Sequence, residues 1–182
     1  MPTRITGGLW RGRVLRTPEG KTTRPTASRV REALFDILGH DCSGRRVADL
    51  YAGSGAVGLE ALSRGAESAV FLETDRAASE VLRANVALVG ANARVERLDA
   101  LRWAADPGNR AKFDLVFVDP PFVAEFPVSA DWFALVAEGG VLVVQHPSRG
   151  KFAWPSAPDR TRAYGESSLS FWFRRSGGSE NV

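Results

Sequence analysis

Three observations predict an α/β fold built on a mostly parallel sheet. From residue 47 onward, short apolar runs alternate with segments of helical period; the runs read as mostly continuous apolar stretches rather than as alternation at every second residue; and a glycine-rich turn joins the first run to the helix after it. Strands that read this way are buried on both faces, and helices must cover them.

The elements follow in order. Ile5 to Leu15 holds two short apolar stretches around Gly7, Gly8 and Gly12, which predicts a small hairpin lying against the body. Val30, Ala33, Leu34, Ile37 and Leu38 recur at helical spacing, with Thr26 or Ser28 placed to cap the start and Gly39 to end it. VADLY (47–51) is the first strand, followed by the loop AGSGAVG and a helix over 57–63. AVFLE (69–73) is the second strand, with a helix over 76–88 behind it. ARVERL (93–98) and FDLVFV (113–118) are the third and fourth, with Asp99 and Asp119 immediately after them. A short helix over 130–136 leads through Gly139 and Gly140 to a fifth strand, VLVVQ (141–145). After a loop bearing prolines, RTRAYG and SLSFWF form two further strands, an antiparallel edge. Residues 1–40 are thus a basic hairpin and helix extending the domain of residues 41–176, and 177–182 are a frayed tail.

The 182 residues suffice for one domain with a substantial core, and 44% apolar with 25% charged residues is ordinary globular usage. A lone cysteine, Cys42, excludes an internal disulfide and a cysteine-based metal site, and fits a reducing compartment. No run approaches the roughly 20 apolar residues of a membrane helix, and the amino terminus lacks an apolar signal core. The expectation is a cytoplasmic monomer. His40 and His146 have no partners at ligand spacing, so no metal is expected. The net charge of +3 divides unevenly: residues 1–31 hold eight basic residues and one acid, a net +7, and the remaining 151 carry −4. A basic front on a mildly acidic body suits a polyanion at one end and a different ligand at the other.

Gly53, Gly55 and Gly58 spell G-x-G-x-x-G between a strand and a helix, with Glu73 twenty residues after Gly53. That spacing fits dinucleotide binding. Asp49 argues otherwise, because a pyrophosphate at the end of the first strand would meet its carboxylate. A nucleoside with an ammonium and a sulfonium, S-adenosylmethionine, turns the same charge to advantage. Glu73 can accept both ribose hydroxyls, and Asp99 can meet an adenine amine.

Asp119-Pro120-Pro121-Phe122 follows the fourth strand. Two prolines fix the backbone and remove two donors, so a stiff turn presents acceptors. Asp119 and the Pro120 carbonyl can both accept from an exocyclic amine and favour lone-pair density on its nitrogen, while Phe122 can stack on the base.

DLYAGSGAVGLEALSRGA, FLETD, the LDA step and FVDPPF together resemble a class I S-adenosylmethionine-dependent methyltransferase of the amino-methylating kind. RITGGLWRGRVL and TRPTASRVREALFDIL are similar to the RsmD type, the bacterial 16S rRNA guanine-N2 methyltransferases. The resemblance runs from about Arg4 to Phe122, and more loosely to YGESSLSF. It implies a Rossmann-like seven-stranded sheet with an antiparallel carboxyl-terminal hairpin and a cofactor held near Asp49, Tyr51, Gly53, Gly55, Glu73, Thr74, Asp99 and Ala100. It also implies a guanine of small-subunit rRNA, or its assembly intermediate, as substrate. DPPF alone fits adenine or protein amide methylation as well; the front end is the specific part. Arg11, Arg13, Arg24, Arg29 and Arg31 cluster as candidate RNA contacts. An NAD-dependent oxidoreductase is opposed by Asp49 and DPPF, and a non-catalytic RNA-binding factor would need neither Asp119 nor the glycine loop.

Overall fold

The chain opens on a two-residue ladder, in which β1 (Thr3–Arg4) pairs antiparallel with β2 (Val14–Leu15). The structure, a computed structural model, describes residues 3–18, 25–122 and 126–175. The predicted hairpin is present, its strands short because glycines occupy the span between them. It is seated on the body through a buried acid. The Glu60 carboxylate accepts from the Thr6 and Gly7 amides at 2.8 Å each and from the Thr6 hydroxyl at 2.7 Å, and it lies 2.8 Å from Arg64 and 3.5 Å from Arg31.

Helix α1 (Pro25–Leu38) starts earlier than expected. Proline suits a first helical turn, where its missing N–H has no partner to lose; Thr26 and Ser28 therefore lie within the helix rather than at the position before it. Gly39 ends it with φ 89°. Next come β3 (Arg46–Leu50), α2 (Ala56–Ser63), β4 (Ser68–Leu72), α3 (Arg76–Val89) and β5 (Ala93–Glu96). The strand expected over 93–98 stops at Glu96, since β5 is a sheet edge and Leu98 faces solvent. A short helix that the sequence pattern did not announce, α4 (Ala100–Ala104), follows with Asp99 as its cap. After β6 (Phe113–Val118), the predicted helix over 130–136 contracts to one turn, α5 (Asp131–Ala134).

Gly139 and Gly140 lie within a strand rather than before it: β7 runs Val136–Pro147. The glycines absorb a register shift against β6, where Phe113 pairs with Val136 but Leu115 with Val141. Gly139, at φ 75°, supplies the bulge conformation. β8 (Arg160–Tyr164) and β9 (Ser167–Phe173) complete a seven-stranded sheet in the order β5-β4-β3-β6-β7-β9-β8. The first five are parallel, and β9 runs antiparallel between β7 and β8. The reversed hairpin is as expected, with β8 as the edge and β9 interior.

Both faces are covered. Val47, Leu115, Phe117, Val143 and Phe171 pack toward α1, α2, α3 and the hairpin; Ala48, Leu50, Val116, Val118 and Val144 pack toward α4, α5 and Trp172. Each large apolar side chain buried this way contributes roughly 1.5–3 kcal/mol. The alternation of faces along β3 and β6 has a consequence for function. Asp49 and Asp119 continue the rows of Val47 and Phe117 and so emerge on the α1 side.

Candidate functional site

The carboxyl ends of β3, β6 and β7 face α1 across a cavity of about 210 Å³. Four residues expected at the cofactor and amine sites line it, namely Asp49, Tyr51, Gly53 and Asp119. This is where open α/β sheets hold ligands, because strand ends there leave room between diverging connections.

The glycine loop shapes the floor. Tyr51 turns the chain out of β3 with φ 67°, an uncommon conformation for a residue with a side chain, and Gly53 and Gly55 continue with φ 56° and 80°. Gly58 serves close approach: a Cβ there would lie 2.3 Å from the Phe71 ring and 3.2 Å from Asp49 Oδ2. Its absence lets the Gly58 amide donate to that oxygen at 2.9 Å. Glu73, at the end of β4, accepts from the Gly53 amide through Oε2 and from the Asp75 amide through Oε1, both at 2.8 Å. Its carboxylate is thereby held beside the loop in one orientation.

The remaining expected residues divide. Gly55 packs against Leu82 at the start of α2. Thr74 is exposed beside Glu73. Asp99 is exposed and spends one oxygen as the cap of α4, accepting from the Arg102 amide at 2.9 Å; Ala100 packs its side chain into the core, which leaves only its backbone for a ligand. Pro120 is buried and Pro121 exposed. Phe122 is 45% exposed, with its ring 6.2 Å from Phe126, which packs in turn on Phe152 and Trp154. His146 supports that aromatic wall from below, its Nδ1 donating to the Pro147 carbonyl and its Nε2 accepting from Ser170. Burial pushes its pKa down, so it packs as a neutral ring.

Arg11, Arg13 and Arg29 are exposed on the hairpin and α1, and Arg24 lies outside the described residues. Arg31 requires a correction. Grouped with the RNA-facing arginines by its position in the chain, it is 5% exposed, donates to the Arg4 carbonyl at 2.7 Å and faces Glu60. A guanidinium so enclosed is unavailable to a polyanion in solvent, and it lines the cavity instead. Thr3, Ser28 and Gln145 line it too, and Glu60 anchors the hairpin behind it. None of these carries a local signal, because the cavity is completed by residues far apart in sequence. Among the described residues, no cluster of three metal-ligating side chains occurs and no helix is long and apolar enough to cross a membrane.

Burial raises two carboxyls. Asp49, 1% exposed, is pushed up to about 7 by desolvation, with the charges of Asp119 and Glu73 adding to the effect and the Gly58 amide opposing it. Asp119 is likewise pushed up to about 7 by desolvation. Tyr51, half-buried and facing Asp99, is raised to about 12 and stays protonated. Both acids bind protons more tightly folded than unfolded, so the stability they support at low pH is lost as pH rises from about 4 to about 7. Asp49→Asn should flatten that dependence. Thermal unfolding at pH 5 and pH 7.5 checks it; an equal pH slope in wild type and variant would contradict the assignment.

Comparison with known proteins agrees with this layout. The family model described as conserved hypothetical protein 95 matches residues 3–173. Ribosomal RNA small subunit methyltransferase D of Escherichia coli (strain K12) is 48% identical over 120 residues, which cover 65% of this chain and 60% of that protein. The chain thus spans about six-tenths of that curated relative's length. The solved structure of the yhhF protein of Escherichia coli superposes with a TM-score of 0.81 at 36% identity, covering 94% of this chain and 97% of that one. A Thermus thermophilus 16S rRNA N2 G1207 methyltransferase (RsmC), in complex with AdoMet and guanosine, superposes with a TM-score of 0.65 at 25% identity, covering 86% of this chain and 44% of that one. A family match across nearly all the described residues, together with the fold shared by the superposed structures, means that the chain belongs to the conserved hypothetical protein 95 family, the RsmD-type methyltransferases.

Proposed function

We propose that this chain transfers a methyl group from S-adenosylmethionine to the exocyclic N2 amine of a guanine in small-subunit ribosomal RNA or its assembly intermediate, acting as a cytoplasmic monomer. The observation that carries the reading is the meeting of Asp49 and Asp119 in one cavity beside the glycine loop, with the DPPF turn at its mouth. The complex of the Thermus thermophilus relative with AdoMet and guanosine supports it.

The residues present fit a cationic amino-acid nucleoside. Asp49 uses one oxygen on Gly58 and keeps the other for an ammonium. Glu73 retains acceptor capacity for ribose hydroxyls outside its two backbone bonds. Thr3 Oγ1 is buried without a hydrogen-bond partner among the described residues, Arg31 Nε faces the Glu60 carboxylate at 3.5 Å, and both residues line the cavity, which gives that wall a hydroxyl and a guanidinium on the side where a carboxylate would sit. Asp99 Oδ2 and the Ala100 backbone stand on the adenine side. A pyrophosphate would instead meet two uncompensated acids. When bound, the cofactor supplies an electrophilic methyl on sulfur.

The chain's own groups then do the positioning. Asp119 and the Pro120 carbonyl accept the two N2 hydrogens, which turns the nitrogen lone pair toward the methyl carbon. With the cofactor bound, the new N–C bond would form as its methyl C–S bond breaks and the electron pair stays on sulfur. The amine sheds one proton, and Asp119, with its pKa near 7, is suited to accept it. Phe122 stacks on the base, a contact worth roughly 1–3 kcal/mol. Incubating small-subunit particles and naked rRNA with methyl-labelled cofactor and identifying the product base by mass spectrometry tests the reading; label on any base but guanine, or none, refutes it.

The hairpin is the RNA-facing surface in this reading. Leu9, 83% exposed, directly precedes Trp10, which packs on the core, and the exposed Arg11 and Arg13 follow. Replacing Arg11 and Arg13 with alanine should weaken RNA binding and reduce the slope of log affinity against log salt by about 2. Titrations between 50 and 200 mM salt, roughly the range over which such contacts are lost, check this. An unchanged slope would assign the contact elsewhere.

A further inference from the structure

Asn85 is fully buried on the core-facing stripe of α3, three residues after Leu82. A carboxamide there is costly unless its polar atoms are bonded, and these are. Its Oδ1 accepts from the Arg16 amide at 2.9 Å, and its Nδ2 donates to the Arg16 carbonyl and to the Ser54 carbonyl, each at 3.0 Å. One N–H and two carbonyls fix which way the carboxamide points, and both of its hydrogens are used. The bonds to Arg16 engage both backbone groups of that residue, as a neighbouring strand would. They begin one position beyond Leu15, where the ladder of β1 and β2 stops.

The two partners belong to different parts of the molecule. Ser54 lies in the glycine loop between Gly53, whose amide Glu73 holds, and Gly55, where the missing Cβ leaves room for Leu82 of α3. Arg16 is exposed and basic, on the front end just after β2. A single side chain thus ties the loop that would hold the nucleoside to the segment that would meet RNA, although the two lie 38 residues apart in the chain. Building on the function proposed above, we propose that Asn85 is a positioning residue that couples the two substrates: a nucleoside seated on the glycine loop holds the Arg16 segment in its RNA-binding position, and RNA on that segment holds the loop. Buried, Asn85 acts on both through backbone atoms of other residues. Ordering the shared unit costs conformational entropy once, so whichever substrate binds first spares the second part of that cost. Such coupling is reciprocal, and each ligand must tighten the other by the same factor.

The test measures that factor with S-adenosylhomocysteine and with the RNA, particle or naked, that accepts the methyl label. Affinity for S-adenosylhomocysteine is read without and with saturating RNA, and affinity for RNA without and with saturating S-adenosylhomocysteine. Wild type should show the same gain in both directions, about fivefold or more. Asn85→Leu, similar in shape, makes none of the three bonds and should bring the gain close to one. A residue needed only for packing would lower the melting temperature and leave the factor unchanged in the folded protein. Arg16→Pro breaks the link from the exposed side by removing the Arg16 amide, and Leu15 before it is already in a strand, the conformation that a residue preceding proline favours. That variant should lose the gain as well, and it decides alone if Asn85→Leu does not fold. Arg16→Ala, which keeps the amide, should bind RNA more weakly and retain the gain. Absence of the gain in wild type, or its persistence in either Asn85→Leu or Arg16→Pro, overturns the inference and leaves the methylation reading standing. If wild type transfers no methyl group to guanine, the reading falls and the inference falls with it.

Discussion

Asp119→Ala is expected to lower methyl transfer by about 10²- to 10⁴-fold, the range for losing a general base or a positioned polar group, while S-adenosylhomocysteine binds nearly as before. Asp119 follows β6 on the side of the cavity next to Gln145, and Glu73 and the glycine loop, which would hold the nucleoside, are built independently of it. The variant also removes a desolvated carboxyl whose charge pushes Asp49 upward. Asp49 should then titrate lower, and the cofactor-free protein should be no less stable than wild type. The pH profile gives a second readout. With Asp119 near 7, wild-type kcat/KM should fall as pH drops below about 7, because a protonated carboxyl is a poorer acceptor for the amine; Asp119→Asn should be slow and nearly flat over the same range. Single-turnover rates together with calorimetry of S-adenosylhomocysteine decide the matter. Loss of binding and transfer in parallel would mean that Asp119 is part of the cofactor site instead.

Glu60→Ala is expected to cost about 3–5 kcal/mol, the price of leaving buried charges without their partner. Arg31 and Arg64 have side chains 6% and 10% exposed, and both face the fully buried Glu60 carboxylate. The same carboxylate satisfies the Thr6 and Gly7 amides, so its loss would orphan two backbone donors as well. For a domain of this size the melting temperature should fall by roughly 10 °C. Ser63 would still hold the hairpin at Gly7 and Trp10, so the detachment should be local and graded. Trypsin cleavage after Arg11 and Arg13 should therefore accelerate more than cleavage in the sheet. A variant that melts within a degree of wild type, or whose hairpin resists trypsin as wild type does, would contradict the anchoring role.

Much of this was legible from residue order. FDLVFV is a strand because five of its six residues are apolar and four of those are phenylalanine or valine, which favour extended structure, and its bounds, Phe113–Val118, coincide with the expectation. The glycine loop and DPPF are likewise local, for their geometry depends on residues a few positions apart. Gly139 and Gly140 misled: two glycines before an apolar run read as a turn, yet the same freedom of φ serves a bulge, and only pairing with β6 selects between the two. Asp99 shows the limit for single acids, since an acid after a strand can cap a helix and face a ligand with different oxygens.

Arg31 and Glu60 mark the boundary most clearly. They lie 29 residues apart in the chain, and nothing local distinguishes Arg31 from the exposed Arg29, or Glu60 from an acid on a solvated helix face. Residue order alone determined the α/β class, the place of the glycine loop and the acids that end the strands, because those follow from short-range periodicity and backbone freedom. Which acids and arginines are buried, which meet across the cavity and that Asn85 bridges Arg16 and Ser54 were decided by tertiary packing. Charge and amide groups acquire their roles from desolvation and from partners that only the folded chain brings near.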